Sequence, residues 1–412
     1  MQDLFKKMAG LLCVVSILIA GVPAMAADVV ELEFYHQKPE NVQLYEELVA
    51  DFMAENPDIK ISITLSSATT TSLVSRIAAN NIPEIISIFP MSATYIQMEQ
   101  EGIFTPLTGQ EFLTKVNPDI LKNCDVDGEY YVLPLTLNAY GLYYNVDLFN
   151  ELGLEPAKTI DELWVLCEAL KEKGIQAFSF PDKKTTRIAQ MFDRMLVGSV
   201  DHNFHDVCVE IVDGKTSVME NQDIRTYADV ILKLREYGNP DSLGYEDEPA
   251  YEEFVSGKAA MYLDGTWAVT TFETLNPELN FTCTAIPTII EDEFYTAGTI
   301  DTAYAISATA TDEQKAAALR FFDFMVRDDI AQRFCDGDKN PNIVLSVDYN
   351  VPQLDEINEM IATGRFAPAL STVWSATLRS ALNTEIQGLI LDKDVDAFLE
   401  RFNSALLENF GQ

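Results

Sequence analysis

From Val42 to Met53 the apolar residues Val42, Tyr45, Leu48, Val49, Phe52 and Met53 recur three and four apart. That spacing predicts a helix with one buried face, and Asn56-Pro57 ends it. Before it, Val29 to Tyr35 alternates apolar and acidic residues and runs into the polar His36-Gln37-Lys38-Pro39; after it, Ile59 to Leu65 alternates again. Both predict strands. A Ser/Thr-rich opening from Ser66 leads to a helix through Ala79, Ile85 to Phe89 reads as a buried strand, and a helix around Tyr95 to Gln100 stops at Gly102. The β-α-β-α-β order predicts a parallel sheet with helices on its faces, an α/β fold in which ligands collect beyond the C-terminal strand ends. Tyr35, His36, Gln37 and the stretch Pro90 to Ser92 fall there.

The pattern changes between Asp127 and Leu154, DGEYYVLPLTLNAYGLYYNVDLFNELGL. Tyr130 to Leu133 predicts one strand, broken by Pro134, which lacks a ladder donor. Tyr140 to Tyr144 predicts a second, and Asn145 opens a short helix that ends at Gly153. Two strands joined by a short extended linker predict a crossing between two lobes, turning near Thr136 to Asn138. Tyr143 and Tyr144 alternate across the strand, so one of the two is expected to pack inward. Further on, helices are predicted over Ile160–Lys173 (capped by Thr159), Thr185–Val197, Asp223–Tyr237, Asp312–Val326 and Val395–Phe410, with strands at Phe178–Phe180 and Met261–Leu263. Gly265 permits a turn of positive φ or a close backbone approach. Asp336 to Asn342 reads as a loop and a third crossing.

The ends and the composition narrow the class. Lys6 and Lys7, an apolar run from Leu11 to Ala20 and the small residues around Ala24-Met25-Ala26 predict an export signal over residues 1–26, cleaved before Ala27; the alternative is a retained N-terminal anchor. The expected product is exported and soluble. With 65 acidic against 28 basic residues the formal charge is −37, which opposes binding to nucleic acid or anionic membranes. Cys124, Cys167, Cys208, Cys283 and Cys335 show no paired spacing and read as buried thiols, although an exported chain could form one bridge. Asp201, His202, His205, Asp206 and Cys208 cluster in sequence, but at a spacing that fits no common zinc site. Asp336, Asp338 and Asn340 start like a calcium loop, yet its sixth and twelfth positions are Pro341 and Val347. No metal or cofactor is expected, and no catalytic group is marked.

Two motifs carry a resemblance. Asp127-Gly128, Tyr131, Pro134, Tyr144-Asn145, Leu148-Phe149, Gly153, Pro156, Thr159 and Asp161-Glu162-Leu163 form the first; Phe254 to Val269, FVSGKAAMYLDGTWAV, forms the second. Together they resemble the solute-binding proteins of sugar ABC transporters, of the maltose-binding and multiple-sugar-binding type. Ile160 and Glu84 depart from the usual Trp and Asp. The resemblance covers nearly all of the chain after residue 26. It implies two α/β lobes, 27–137 with 296–337 and 138–295 with 338–412, closing on a carbohydrate and delivering it to a membrane permease as a monomer. It also implies ligand contacts at Trp267 and Trp374, which match stacking positions, and at Tyr35, Asn138 and Asp301; His36 is a further candidate from its place at the strand end, where capping a loop is the alternative. The rival readings are an exported carbohydrate-active enzyme and a receptor for a polyol or phosphodiester.

Overall fold

The computed structural model describes residues 29–66, 69–199, 204–289 and 295–410. The export signal over 1–26 lies outside the described residues, as do Asp201 and His202.

The strands are β1 (Val30–His36), β2 (Ile59–Leu65), β3 (Ile85–Ile88), β4 (Asp125–Val126), β5 (Glu129–Tyr130), β6 (Val132–Asn145), β7 (Gln176–Phe178), β8 (Ala259–Gly265), β9 (Phe281–Thr284), β10 (Thr296–Ile306) and β11 (Phe366–Pro368). Nine of them form one mixed sheet in the order β2-β1-β3-β10-β6-β8-β7, with β9 on β6 and β11 on β10. The parallel triplet β2-β1-β3 follows from the β-α-β-α-β pattern. The remaining pair, β4 and β5, makes a hairpin whose turn residues Asp127 and Gly128 both have positive φ, the geometry that suits a two-residue Asp-Gly turn.

The sheet spans both lobes because β6 does. Its first half, Val132–Ala139, pairs with β10; its second half, Tyr140–Asn145, pairs with β8 and β9. The two strands expected here are therefore one continuous strand, with Tyr130 assigned to the hairpin. Pro134 sits within the strand opposite Ala303, where β10 shifts register between Thr302 and Ala303. That irregularity accommodates the missing donor, which a central strand otherwise excludes. On the other side of β6, Leu137 N donates to Pro341 O at 2.8 Å and Ile343 N to Leu135 O at 3.0 Å. This third strand-like pass begins later than expected: Asp336–Asp338 belong to the helix Asp328–Asp338, and only the segment beyond Lys339, at φ 64, is extended alongside β6. The passes lie very close, since a Cβ at Gly298 of β10 would overlap the Asn138 carbonyl oxygen.

Buried side chains gather in two main cores. One is built from 32–137 and 300–344, the other from 140–261 and 297–406, with a satellite on the opposite face of β6 and β8. Tyr144 enters the larger second core and Tyr143 the satellite, so both are buried. The expectation that one packs inward fails because helices cover both faces of this half-sheet. Each large apolar side chain so buried contributes about 1.5–3 kcal/mol. Local signals fix the helix starts: Thr159 and Glu162 form a reciprocal capping box before Ile160–Glu172. The five cysteines among the described residues are all buried, unbridged thiols. No helix among them is long and apolar enough to cross a membrane.

A buried carboxyl group of the first lobe has no hydrogen-bond partner among the described residues. Glu99, 1% exposed in the helix Ala93–Gln100, leaves both carboxyl oxygens without a hydrogen bond. Burial pushes its pKa from 4.5 up to about 8, so the carboxyl is held protonated at neutral pH. The folded value lies above the unfolded one, so the fold is favoured below about pH 4.5 and loses stability as pH rises towards 8, by up to about 1.4 kcal/mol per unit. Glu99→Gln should remove this decline. Urea unfolding of both proteins between about pH 5 and pH 8 checks it; parallel stability curves would contradict the assignment.

Candidate functional site

A buried ion cluster ties the passes between lobes together. Lys38 lies just beyond the end of β1. Its ammonium contacts the Asp301 carboxylate of β10 and lies 3.2 Å from Asp338 Oδ1, with Lys38 4%, Asp301 4% and Asp338 1% exposed. Asn138 of β6 donates to Asp301 Oδ1 at 2.8 Å, and Asn340 of the third pass donates to Asp301 Oδ2 at 3.3 Å. Thr266, following β8 in the second lobe, donates to Asn340 Oδ1 at 2.5 Å. Thr299 N donates to Asn138 Oδ1 at 3.1 Å, and Asn41 closes the group on Asp338. Burial alone would pull the Lys38 pKa down, but Asp301, Asp338 and Glu40 more than reverse this and the ammonium stays charged. Burial pushes Glu40 up to about 7 against the pull of Lys38.

Lys38→Met would leave Asp301 and Asp338 buried without their cation. Loss of one partner from such a pair costs about 3–5 kcal/mol. Chemical denaturation should show that loss, with partial recovery when Asp301→Asn is added; no recovery in the double variant would refute the coupling.

His36 lies at the edge of this cluster, its Nδ1 accepting from Lys38 N at 3.4 Å; Tyr35 precedes it on β1. Tyr35 is buried, with the Arg76 guanidinium 5.7 Å from its ring centre. His36 is fully buried with its ring 4.6 Å from that of Tyr45; burial and the Lys38 charge push its pKa down to about 4, so the ring is neutral. The structure thus brings His36, Asn138 and Asp301 to the Lys38 cluster, where Asn138 and Asp301 bond to each other, while Tyr35 faces Arg76 instead.

The two tryptophans stand elsewhere. Trp267 is half-buried at the start of the helix Ala268–Leu275, edge-on to Tyr140 at 6.2 Å, with the Arg187 guanidinium 5.7 Å from its ring. Its indole folds over Gly265, where a Cβ would collide with it. Gly265 is therefore needed for close approach; positive φ is not involved. Arg187 is fixed in turn by Asp247 at 2.9 Å and Asp264 at 3.0 Å. Trp374 ends the short helix Leu370–Val373, and Ser375 caps the next, Ala376–Asp392. It walls a cleft of about 390 Å³ that also touches Gln190 and Asp193 of the helix Thr185–Ser199, Arg379 and Asn383 of the helix Ala376–Asp392, and Thr71. Thr71 belongs to the helix Thr69–Ala78, whose Leu73 packs in the first-lobe core, so the cleft joins both lobes. Its volume lies in the usual range for a small-molecule site.

A family model described as bacterial extracellular solute-binding protein matches residues 37–332. The chain belongs to that family. This solute-binding protein is 26% identical over 398 residues to the multiple sugar-binding protein of Streptococcus mutans, covering 90% of this chain and 91% of the relative. It is 20% identical to the maltotriose-binding protein of Pyrococcus abyssi, over 91% of this chain and 81% of that one. Among solved structures, RafE in complex with raffinose superposes with a TM-score of 0.84 at 24% identity, covering 92% of this chain and 99% of that one. A chitin oligosaccharide binding protein follows at 0.81 and 22%, covering 93% and 99%. These likenesses agree on the two-lobe α/β fold.

Of the residues that line this cleft in the solute-binding protein, the sequence singles out Trp374 but not Gln190, Asp193, Arg379 or Thr71. Arg379 lies five residues after Trp374 in the stretch LSTVWSATLRSAL, about one helix turn beyond the Ser375 cap, but nothing local says which way it faces. Gln190 and Asp193 sit on a helix whose polar face was unremarkable until folded against its neighbour. Among the described residues no group of three or more His, Cys, Asp or Glu is placed to hold a metal, and His205 instead stacks 5.7 Å from Phe410.

Proposed function

We propose that this protein binds a carbohydrate between its lobes outside the cytoplasm and hands it, enclosed, to the permease of an ABC transporter. The observation that carries the reading is the cleft at Trp374, which is walled from both lobes and sets the edge of that indole, 4% exposed, beside Gln, Asp, Asn and Arg groups. A sugar offers weakly apolar faces and hydroxyl edges, and such a lining meets both. Sugar-binding names among the relatives support the same class. The lobes are 27–137 with 296–337, and 138–295 with 338–412. Ligand draws them together only through its greater affinity for the closed form. Trp267 contributes a second aromatic surface near the crossings, while Asn138 and Asp301 act through the geometry of the strands that carry them. The protein acts as a monomer and performs no chemistry on its ligand.

Titration of intrinsic fluorescence against a panel of mono- and oligosaccharides tests this. Saturable change with the sugar recovered intact is expected, and a hydrolysed product would replace the receptor reading with an enzymatic one. Trp374→Ala and Trp267→Ala should each weaken binding by at least about 1 kcal/mol, the scale of an aromatic contact. Unchanged affinity in both would remove the aromatic assignment. Export with cleavage after Ala26 predicts a secreted chain beginning at Ala27, read by intact mass.

A further inference from the structure

Arg379 differs from the other arginines near it. Arg194 pairs with Asp193 at 2.5 Å, Arg187 with Asp247 and Asp264, Arg235 with Asp182 at 2.6 Å, and Arg401 with Glu385 at 2.7 Å. Arg379 has no ion-pair partner among the described residues, and its buried Nε has no hydrogen bond. This is so in a chain with 65 acidic residues against 28 basic ones, where a carboxylate partner would be easy to supply. Arg379 is also one of the residues that line the cleft. Burial pulls its pKa down, and the nearby Arg194 charge adds to that; Tyr95 and Asp193 oppose it without cancelling it. A half-buried guanidinium left unpaired is costly unless something else completes it.

Other features of the cleft share its sign. Thr71 and the pair Thr185-Thr186, all on the cleft, lie in the first turns of the helices Thr69–Ala78 and Thr185–Ser199. The helix Ala376–Asp392 brings Arg379 itself in its first turn. Helix N-termini carry partial positive charge. Against these stands Asp193, already paired with Arg194. Gln190 lies on the same wall, and its buried Oε1 has no hydrogen-bond donor among the described residues.

We propose that the cleft selects an acidic saccharide, one whose uronate carboxylate is held by Arg379 while a neighbouring hydroxyl donates to Gln190. The proposal rests on the carbohydrate reading above. A guanidinium offers two parallel donors to the two oxygens of a carboxylate, a match that a neutral sugar edge does not provide.

Calorimetric titration of the purified chain with glucose, galactose and their di- and trisaccharides, beside the matching glucuronates and galacturonates, tests it. At least one uronate should bind about tenfold or more tightly than its neutral counterpart, with the preference shrinking as salt rises. Arg379→Gln should reduce the preference to within about threefold, and Arg379→Lys should restore part of it, since it keeps the charge and loses the fork. Unchanged thermal midpoints would establish that both variants fold. Equal or tighter binding of neutral sugars overturns the acidic-saccharide proposal and leaves the carbohydrate reading standing. A uronate preference that survives in Arg379→Gln overturns the role of Arg379. Failure of every saccharide to bind overturns both readings.

Discussion

The arrangement of the whole molecule depends on one buried ammonium. Lys38 sits where β1 ends, and around it converge three separate passes of the chain, through Asn138, Asp301 and the segment from Asp338 to Asn340. Removing one cation and two carboxylates from water is expensive, and their mutual attraction offsets that cost only when geometry and hydrogen bonds are good. Asn138, Asn340, Asn41 and Thr266 provide those hydrogen bonds. Such a cluster is therefore weak evidence of extra stability and stronger evidence that one particular arrangement of the passes is required. Thr266 extends it into the second lobe, so the same group that registers the strands also touches the element leading to Trp267.

Much of the fold could be read locally. Ile59–Leu65 is the strand its alternation predicts, the Thr159 cap starts its helix, and Val42–Glu55 follows its apolar spacing. Misreadings arose where distant partners override local rules. Pro134 breaks a strand by local logic, but a register shift in β10, more than 160 residues later in the chain, lets the strand continue. Tyr143 and Tyr144 read as one inside and one outside, because a one-sided sheet is the simpler guess; the coverage of both faces comes from helices remote in sequence. The strand expected at Phe178–Phe180 ends at Phe178, since Phe180 N instead donates to the Asn239 side chain at 2.6 Å.

The site was legible to a different degree. Trp267 and Trp374 stood out because tryptophan is scarce, with three in the chain, and Trp267 lies within the motif Phe254 to Val269. Asn138 and Asp301 were legible as polar residues on crossing segments, yet only the folded chain shows that they satisfy each other. Arg379 and Gln190 carry no local signal at all. What distinguishes them is a missing partner, and absence of a partner is a property of three-dimensional surroundings. The placement of Arg379 beside the cleft is likewise invisible in composition, where acidic residues outnumber basic ones by 65 to 28.

The unbridged cysteines have a consequence beyond packing. Cys124 belongs to the first core, Cys167 and Cys208 to the second, and Cys283 to its satellite. Burial pushes the Cys167 and Cys208 thiols up to about 12, so neither solvent access nor thiolate is available while the chain is folded. Reaction with a thiol reagent then requires the surrounding core to open. The rate at which each sulfur is labelled becomes a local clock for the unfolding of its own lobe, and an oxidising exterior leaves the native chain untouched while marking any copy that has come apart.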